Sequence, residues 1–310
     1  MGASLSLTPK EQRVNDILMN YKLSEYDEGF LNPGSFLAAQ HFFKSKAAIE
    51  NSEIFKIIRQ LPKGASLHSH DTAIASFEYL FNLTYRDNLY GCHKEEFFIL
   101  RFFKENNASA ECEWKLLSKL RAANSSFDAF LKSKMTLIVD YPEFAYPNLN
   151  SVWKAFMDIF VTVADLIGYK PVWQEYFYQV LKELYEDNVM YVEFRGILPE
   201  VYDLEGNTYD GVQVVGLYYE TLKKFKKDYP AFHGARFIYA PQEEGLQRNG
   251  GQLRGDLPEN EAALSGFRGG IRPGGPGGFR FVSNIFACRN KLYSEIFSLC
   301  EDHACFVDSS

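Results

Sequence analysis

The feature that most restricts the fold is an alternation along the chain. Three short stretches of strand character, Ala65-Ser-Leu-His-Ser-His70, Val189-Met-Tyr-Val-Glu-Phe-Arg195 and Ala235-Arg-Phe-Ile-Tyr-Ala240, are separated by segments with helical spacing. Strand and helix in turn imply a parallel sheet with crossover helices. The first strand follows the breaker Pro62-Lys63-Gly64. A helix containing Trp173, Phe177, Val180, Leu181 and Leu184 runs directly into the second. The helix before the third ends in Lys223, Lys224, Lys226 and Lys227, cations suited to the negative end of a helix dipole. Helical spacing also covers Phe127 to Ile138 and Val152 to Ile167, with Gly168 at the expected C′ position. An eight-fold barrel uses about 31 residues per strand–helix unit, which leaves this region room for about four units.

The flanks read differently. Thr8-Pro9-Lys10-Glu11 is a capping box with proline at the first helical position, and Val14, Ile17, Leu18 and Tyr21 continue it as a helix. A second helix is expected from Ser35 past Phe36, Phe43 and Ala47, and a third over Ile54, Phe55, Ile57 and Ile58. Residues 1–60 therefore form a helical arm, and 61–240 the strand–helix region. Within the latter, 85–126 lack a regular pattern and read as an inserted surface module. Residues 245–278 hold 11 of the chain's 22 glycines, a composition that cannot bury enough apolar surface to order the chain. Residues 241–310 are thus expected to be a largely disordered tail in which Phe279 to Cys300 has the spacing of one helix and no further barrel strand is legible.

Composition narrows the functional classes. With 46% hydrophobic and 16% aromatic residues in 310, a sizeable core is assured. A net charge of −7 without a basic block argues against binding nucleic acid. The most apolar run, Ile159 to Ala164, is short and bounded by Asp158 and Asp165, so it is a core helix and no membrane span. No intact signal peptide is legible in the opening residues, so one is expected to be absent or truncated here. Three N-glycosylation sequons, at Asn82, Asn107 and Asn124, nevertheless cluster with Cys92 and Cys112, whose spacing suits a disulfide in a secreted protein. The plainer alternative is chance sequons and two free thiols.

His68 and His70 are the sharpest chemical feature. Two apart on a strand, they share a face, and at the C-terminal end of a barrel strand they make half of a zinc site; two ordinary histidines are the alternative. Asp71 follows, placed to orient a ligand or to bind substrate. Glu193 and Arg195 share a face and read as a buried ion pair. Trp153, Phe156 and Phe160 form an i, i+3, i+7 stripe that normally packs a core, while Asp158 reads as solvated. Cys300, His303 and Cys305 resemble a fragment of a metal site, and His41, His93 and His233 stand alone.

These residues carry a resemblance. Leu61-Pro-Lys-Gly-Ala-Ser-Leu-His-Ser-His-Asp71 resembles the first barrel strand of the adenosine deaminases, in particular the secreted adenosine deaminase-related growth factor (type 2) branch. Tyr185-Glu-Asp-Asn-Val-Met-Tyr-Val-Glu-Phe-Arg195 is similar to that family's second strand, and Asn150-Ser-Val-Trp-Lys-Ala-Phe-Met-Asp-Ile-Phe160 to its substrate-facing helix. The resemblance covers about residues 5–240. It implies an α/β fold, the metal-dependent-hydrolase (β/α)8 TIM barrel, here truncated after its third strand. It further implies a dimerisation role for the arm, a disulfide between Cys92 and Cys112, and zinc on His68 and His70. Asp71, Trp153, Phe156 and Phe160 would lie near the nucleoside.

The implied reaction is extracellular hydrolytic deamination of adenosine and 2′-deoxyadenosine to inosine or 2′-deoxyinosine plus ammonia, using a zinc-activated water. The family's His-Ala-Gly-Glu stretch and Asp-Asp pair do not occur in this sequence, so the general acid, general base and remaining zinc ligands are not found. The expectation is a chain inactive or nearly so. The alternative is a non-catalytic, growth-factor-like protein or dimer partner that binds a cell-surface receptor or glycan.

Overall fold

A computed structural model describes residues 6–104 and 112–240, together with the backbone of 281–283. The chain divides into two units, one built from the first 64 residues with Glu186–Val189, the other from the remainder. In the first unit, helix α1 (Pro9–Leu31) opens with the expected capping box: the Thr8 hydroxyl accepts from the Glu11 amide and the Glu11 carboxylate accepts from the Thr8 amide at 2.7 Å. Leu18 and Met19 are half-buried, but much of its apolar surface stays open, with Val14, Ile17, Leu23, Tyr26 and Phe30 exposed. Two 3-10 turns, Pro33–Ser35 and Leu37–Ala39, occupy the region where the second helix was expected to start. Helix α2 is Phe42–Asn51. The correction has a local cause, since the Ser35 hydroxyl donates to the Asn32 carbonyl at 2.8 Å and closes a turn. Helix α3 (Glu53–Ile58) is capped by Ser52, whose hydroxyl also donates to Glu25 of α1 at 2.6 Å.

The second unit begins with strand β1 (Gly64–His70) and helix α4 (Phe77–Asn82). Three strands follow, β2 (Leu89–Lys94), β3 (Phe97–Phe102) and β4 (Lys115–Leu116), paired antiparallel in the order β3-β2-β4. The reading of 85–126 as irregular is therefore corrected. Phe97-Phe-Ile-Leu-Arg-Phe102 hides its period of two because both faces are apolar. Phe98, Leu100 and Phe102 enter the main core, while Ile99 packs on a small cluster of Tyr90, Cys92, Cys112 and Trp114. Cys92 and Cys112 form a disulfide within that cluster, their Cα atoms 6.1 Å apart. Gly91 is required on β2, since a Cβ there would meet the Phe98 ring at 2.4 Å.

Helices α5 (Leu117–Ala123), α6 (Phe127–Ser133), α7 (Pro142–Ala145), α8 (Leu149–Ile167) and α9 (Lys170–Glu186) come next. Helix α6 stops five residues before Ile138, its last turn closed by the Met135 amide on the Lys132 carbonyl. Gly168 ends α8 in a right-handed conformation, contrary to the left-handed C′ role. Its glycine is needed for closeness instead, a Cβ there lying 3.0 Å from the Ala164 carbonyl oxygen.

Strand β5 (Val189–Gly196), the small hairpin of β6 (Val201–Tyr202) and β7 (Thr208–Tyr209), helix α10 (Gly211–Asp228) and strand β8 (Gly234–Tyr239) complete the alternation. A fourth strand, β9 (Phe281–Ser283), pairs in parallel with β8, Phe237 opposite Phe281. The sheet runs β1-β5-β8-β9 in chain order, with β5 and β8 parallel and Val192 opposite Ala235. This corrects the expectation that nothing after residue 240 adds a strand, and it replaces the first residues of the helix expected over Phe279 to Cys300. The remainder of that helix, the glycine-rich stretch and Cys300, His303 and Cys305 lie outside the described residues.

The core lies between this sheet and helices α9 and α10 and continues between α8 and the β2–β3 hairpin. Val192, Phe194 and Phe237 are fully buried against Phe177, Tyr218 and Phe225. The Phe194 ring sits 4.8 Å from Phe177 and 5.3 Å from Phe237. Burying each such ring contributes about 1.5–3 kcal/mol.

Candidate active site

His68 and His70 stand where the period of two puts them. Both are exposed at the C-terminal end of β1, their ring centroids 5.7 Å apart and tilted by 43°. Two imidazoles bound to one tetrahedral zinc at about 2.0–2.1 Å hold their centroids roughly 5 Å apart, a separation close to that of this pair. Burial first, then the charges of His68 and Arg195, holds His70 below the usual histidine range. That shift favours the neutral imidazole, the form a metal accepts. The fit extends to two ligands: among the described residues, no group of three or more His, Cys, Asp or Glu side chains is placed to hold a metal ion.

Asp71 does not share that exposed face. It is 8% exposed, and its carboxylate accepts from the Tyr218 hydroxyl of α10 at 3.0 Å and from the Thr72 amide at 2.8 Å. Burial raises this carboxyl to about 6, against the two hydrogen bonds that favour its charged form. The Tyr218 hydroxyl is pushed up by burial and by the neighbouring Asp71 charge. Room for the carboxylate comes from Gly196 at the end of β5, since a Cβ there would lie 1.8 Å from Asp71 Oδ2.

The loop after Asp71 is tied down on α9. The Ala75 amide donates to the Tyr176 hydroxyl at 3.2 Å, and the amide and hydroxyl of Ser76 both donate to Glu183 at 2.8 Å. Sequence reasoning missed Tyr218, Gly196, Tyr176 and Glu183. Only the glycine ending a strand carried a signal, as a mark of close backbone approach.

The other candidates are placed as follows. Glu193 faces away from the helices, where it accepts from Tyr191 at 2.8 Å and meets Arg236 of β8 at 3.6 Å. The ion pair expected with Arg195 is replaced by this cross-strand pair, because residues two apart on one strand lie farther apart than directly paired neighbours. Arg195 keeps a buried Nε without a hydrogen-bond partner. Trp153, Phe156 and Phe160 form an edge-to-face ladder along α8, with centroids 5.7 Å and 5.0 Å apart. Trp153 is 57% exposed and the other two are half-buried, so the ladder is no core stripe among the described residues. Asp158 is bound by Lys154 at 2.9 Å. His41, His93 and His233 are all exposed.

Comparison with known proteins decides the family. Residues 1–58 match the model for the Adenosine/AMP deaminase N-terminal family. The adenosine deaminase of Phlebotomus duboscqi is 42% identical over 246 residues, covering 78% of this chain, and that of Aedes albopictus is 41% identical over 249. The chain belongs to the adenosine deaminase family. Human adenosine deaminase 2 is 38% identical over 247 residues, 77% of this chain. The chain spans about half the length of these relatives, 46% of the Aedes protein and 48% of the human one. A crystal structure of the Arabidopsis N6-mAMP deaminase aligns over 81% of this chain and 59% of its own at 12% identity, with a TM-score of 0.36, too distant to bear on the fold.

Proposed function

We propose that this chain carries the zinc-binding opening of an adenosine-deaminase barrel, with His68 and His70 as two of the metal's ligands. The observation that carries this reading is the pair of imidazoles on one face at the end of β1, spaced for a shared ion. Zinc held by His68 and His70 would lower the pKa of a water for the hydrolysis of adenosine to inosine and ammonia. Trp153, Phe156 and Phe160 offer the purine an aromatic surface, and Trp153 is free to receive it. Asp71 works from beneath, holding the end of β1 through Tyr218 and Thr72. In this reading the four strands in chain order are the first half of a (β/α)8 barrel.

The chain by itself is proposed to be inactive or nearly so, because two ligands hold zinc weakly and the described residues bring no general acid to them. The test is zinc content and adenosine-to-inosine conversion by the 310-residue chain beside a His68→Ala, His70→Ala variant. We expect weak zinc binding that the variant loses and no conversion by either. Conversion that depends on zinc and disappears in the variant overturns the inactivity. Zinc binding unchanged in the variant overturns the site.

Two further parts belong to this reading. The exposed apolar side chains of α1 support homodimerisation through the arm, which Ile17→Glu with Phe30→Glu should disrupt in size-exclusion chromatography. The buried disulfide supports an extracellular, glycosylated setting. A receptor- or glycan-binding role centred on residues 85–126 has less support, since Leu89, Leu100 and Phe102 of that region belong to the main core.

A further inference from the structure

Two of the three sequons lie within the described residues, and the fold treats them in opposite ways. Asn82 closes α4 and Thr84 sits in the 3-10 turn that continues it. Residues two apart in a helical segment point to opposite sides. Asn82 is accordingly exposed while Thr84 is fully buried. The Thr84 hydroxyl donates to the Phe81 carbonyl at 2.6 Å and accepts from Arg121 Nη2 at 2.7 Å, and Arg121 Nη1 donates to the Thr84 carbonyl. Arg121 is held in turn by Asp128 at 2.7 Å and lies 3.8 Å over the Tyr85 ring.

Asn124 is built for the reverse. Its backbone is extended (φ −145°, ψ 110°), and Asn124, Ser125 and Ser126 are all exposed. The Asn124 side-chain oxygen accepts from the Ser126 amide at 2.9 Å, which brings the asparagine and the hydroxyl-bearing residue to one side of the turn.

A sequon demands a hydroxyl two residues after asparagine, so the transferring enzyme must reach that hydroxyl as well as the amide. We infer that the folded chain is an N-glycan acceptor at Asn124 and closed at Asn82, which can be modified only before Arg121 locks Thr84. In the transfer, the asparagine amide nitrogen bonds to the anomeric carbon of a diphosphate-linked sugar. The carbon–oxygen bond to the diphosphate breaks, the diphosphate leaves with the electron pair, and the amide gives up one proton. Arg121 and Asp128 flank the Asn124 sequon itself, so folding of residues 117–133 shuts one site while presenting the other.

The inference rests on the extracellular reading only for its cellular setting; the assay needs no secretion. Unglycosylated folded chain, with its disulfide formed, is incubated with an oligosaccharyltransferase and a lipid-diphosphate-linked oligosaccharide. Occupancy at each asparagine is read by mass spectrometry, with peptides of residues 78–90 and 120–130 as unfolded controls. Asn124 should be modified in the folded chain. Asn82 should be modified at least roughly tenfold more slowly than Asn124, and as readily as Asn124 in the peptides, because its rate in the folded chain follows the population of the locally opened form. Arg121→Gln should raise Asn82 modification relative to that at Asn124. If the variant fails to fold, urea below the unfolding transition is the second arm and should raise Asn82 modification with denaturant. Similar rates at both asparagines in the folded chain, or an Asn124 that reacts only as a peptide, overturns the inference.

Discussion

The two faces of the β5–β8 pair are made from the same strands and do different work. On the helix side stand Val192, Phe194, Ala235 and Phe237, all at most 2% exposed and packed on Phe177, Tyr218 and Phe225. On the other stand Tyr191, Glu193, Arg195 and Arg236, half-buried and polar, with His68 and His70 beyond them on β1. Apolar contacts gain from every atom removed from water, so the helix side holds the fold together. A partly solvated charge gains little from its pair, so the opposite side is free to vary in the service of chemistry. Asp71 and Tyr218 join the two, one at the end of β1 and the other in the helix layer.

The sharpest way to break this comparison is to truncate its packed side. Phe194→Ala should lose about 3–5 kcal/mol of stability in urea unfolding, and a smaller loss would mean that the sheet and helices are loosely joined. Tyr218→Phe comes next, at about 1–3 kcal/mol, because it removes a donor from the buried Asp71 carboxylate. Adding Asp71→Asn should recover part of that loss, since the double variant buries no charge. Glu193→Gln on the open side should cost under about 1 kcal/mol, its Arg236 partner being one-third exposed. Smallest of all, the pair His68→Ala, His70→Ala should leave stability within about 0.5 kcal/mol. That variant should also lose the rise in melting temperature that excess zinc gives the unaltered chain, since only a folded-state ligand stabilises. Zinc-induced stabilisation that survives it would move the metal elsewhere.

How much of this was legible beforehand differs by element. Strands β1, β5 and β8 were read with ends right to within one residue, because alternation over six or more residues is a strong signal. The α1 capping box was equally plain. Strand β3 was not, because a hairpin apolar on both faces has no period to detect. The ends of α2 and α6 went astray where serine and loop hydrogen bonds outweighed apolar spacing.

His68 and His70 were found from local spacing alone, and their shared face needed nothing more than a strand. The surroundings that give the site its character were beyond such reading. Gly196 lies 125 residues from Asp71, and Tyr218 lies 147 away. Likewise, Asn82 and Asn124 both begin sequons, and it is the packing of Arg121 onto Thr84, 37 residues apart, that buries the hydroxyl of the first while Ser126 of the second stays exposed. The sequence by itself determined the periodic elements, the family and the candidate ligands, since propensity and spacing act between near neighbours. Burial, the raised carboxyl of Asp71 and the cross-strand partner of Glu193 were decided by tertiary structure, because dielectric and contact depend on what the folded chain brings together from afar.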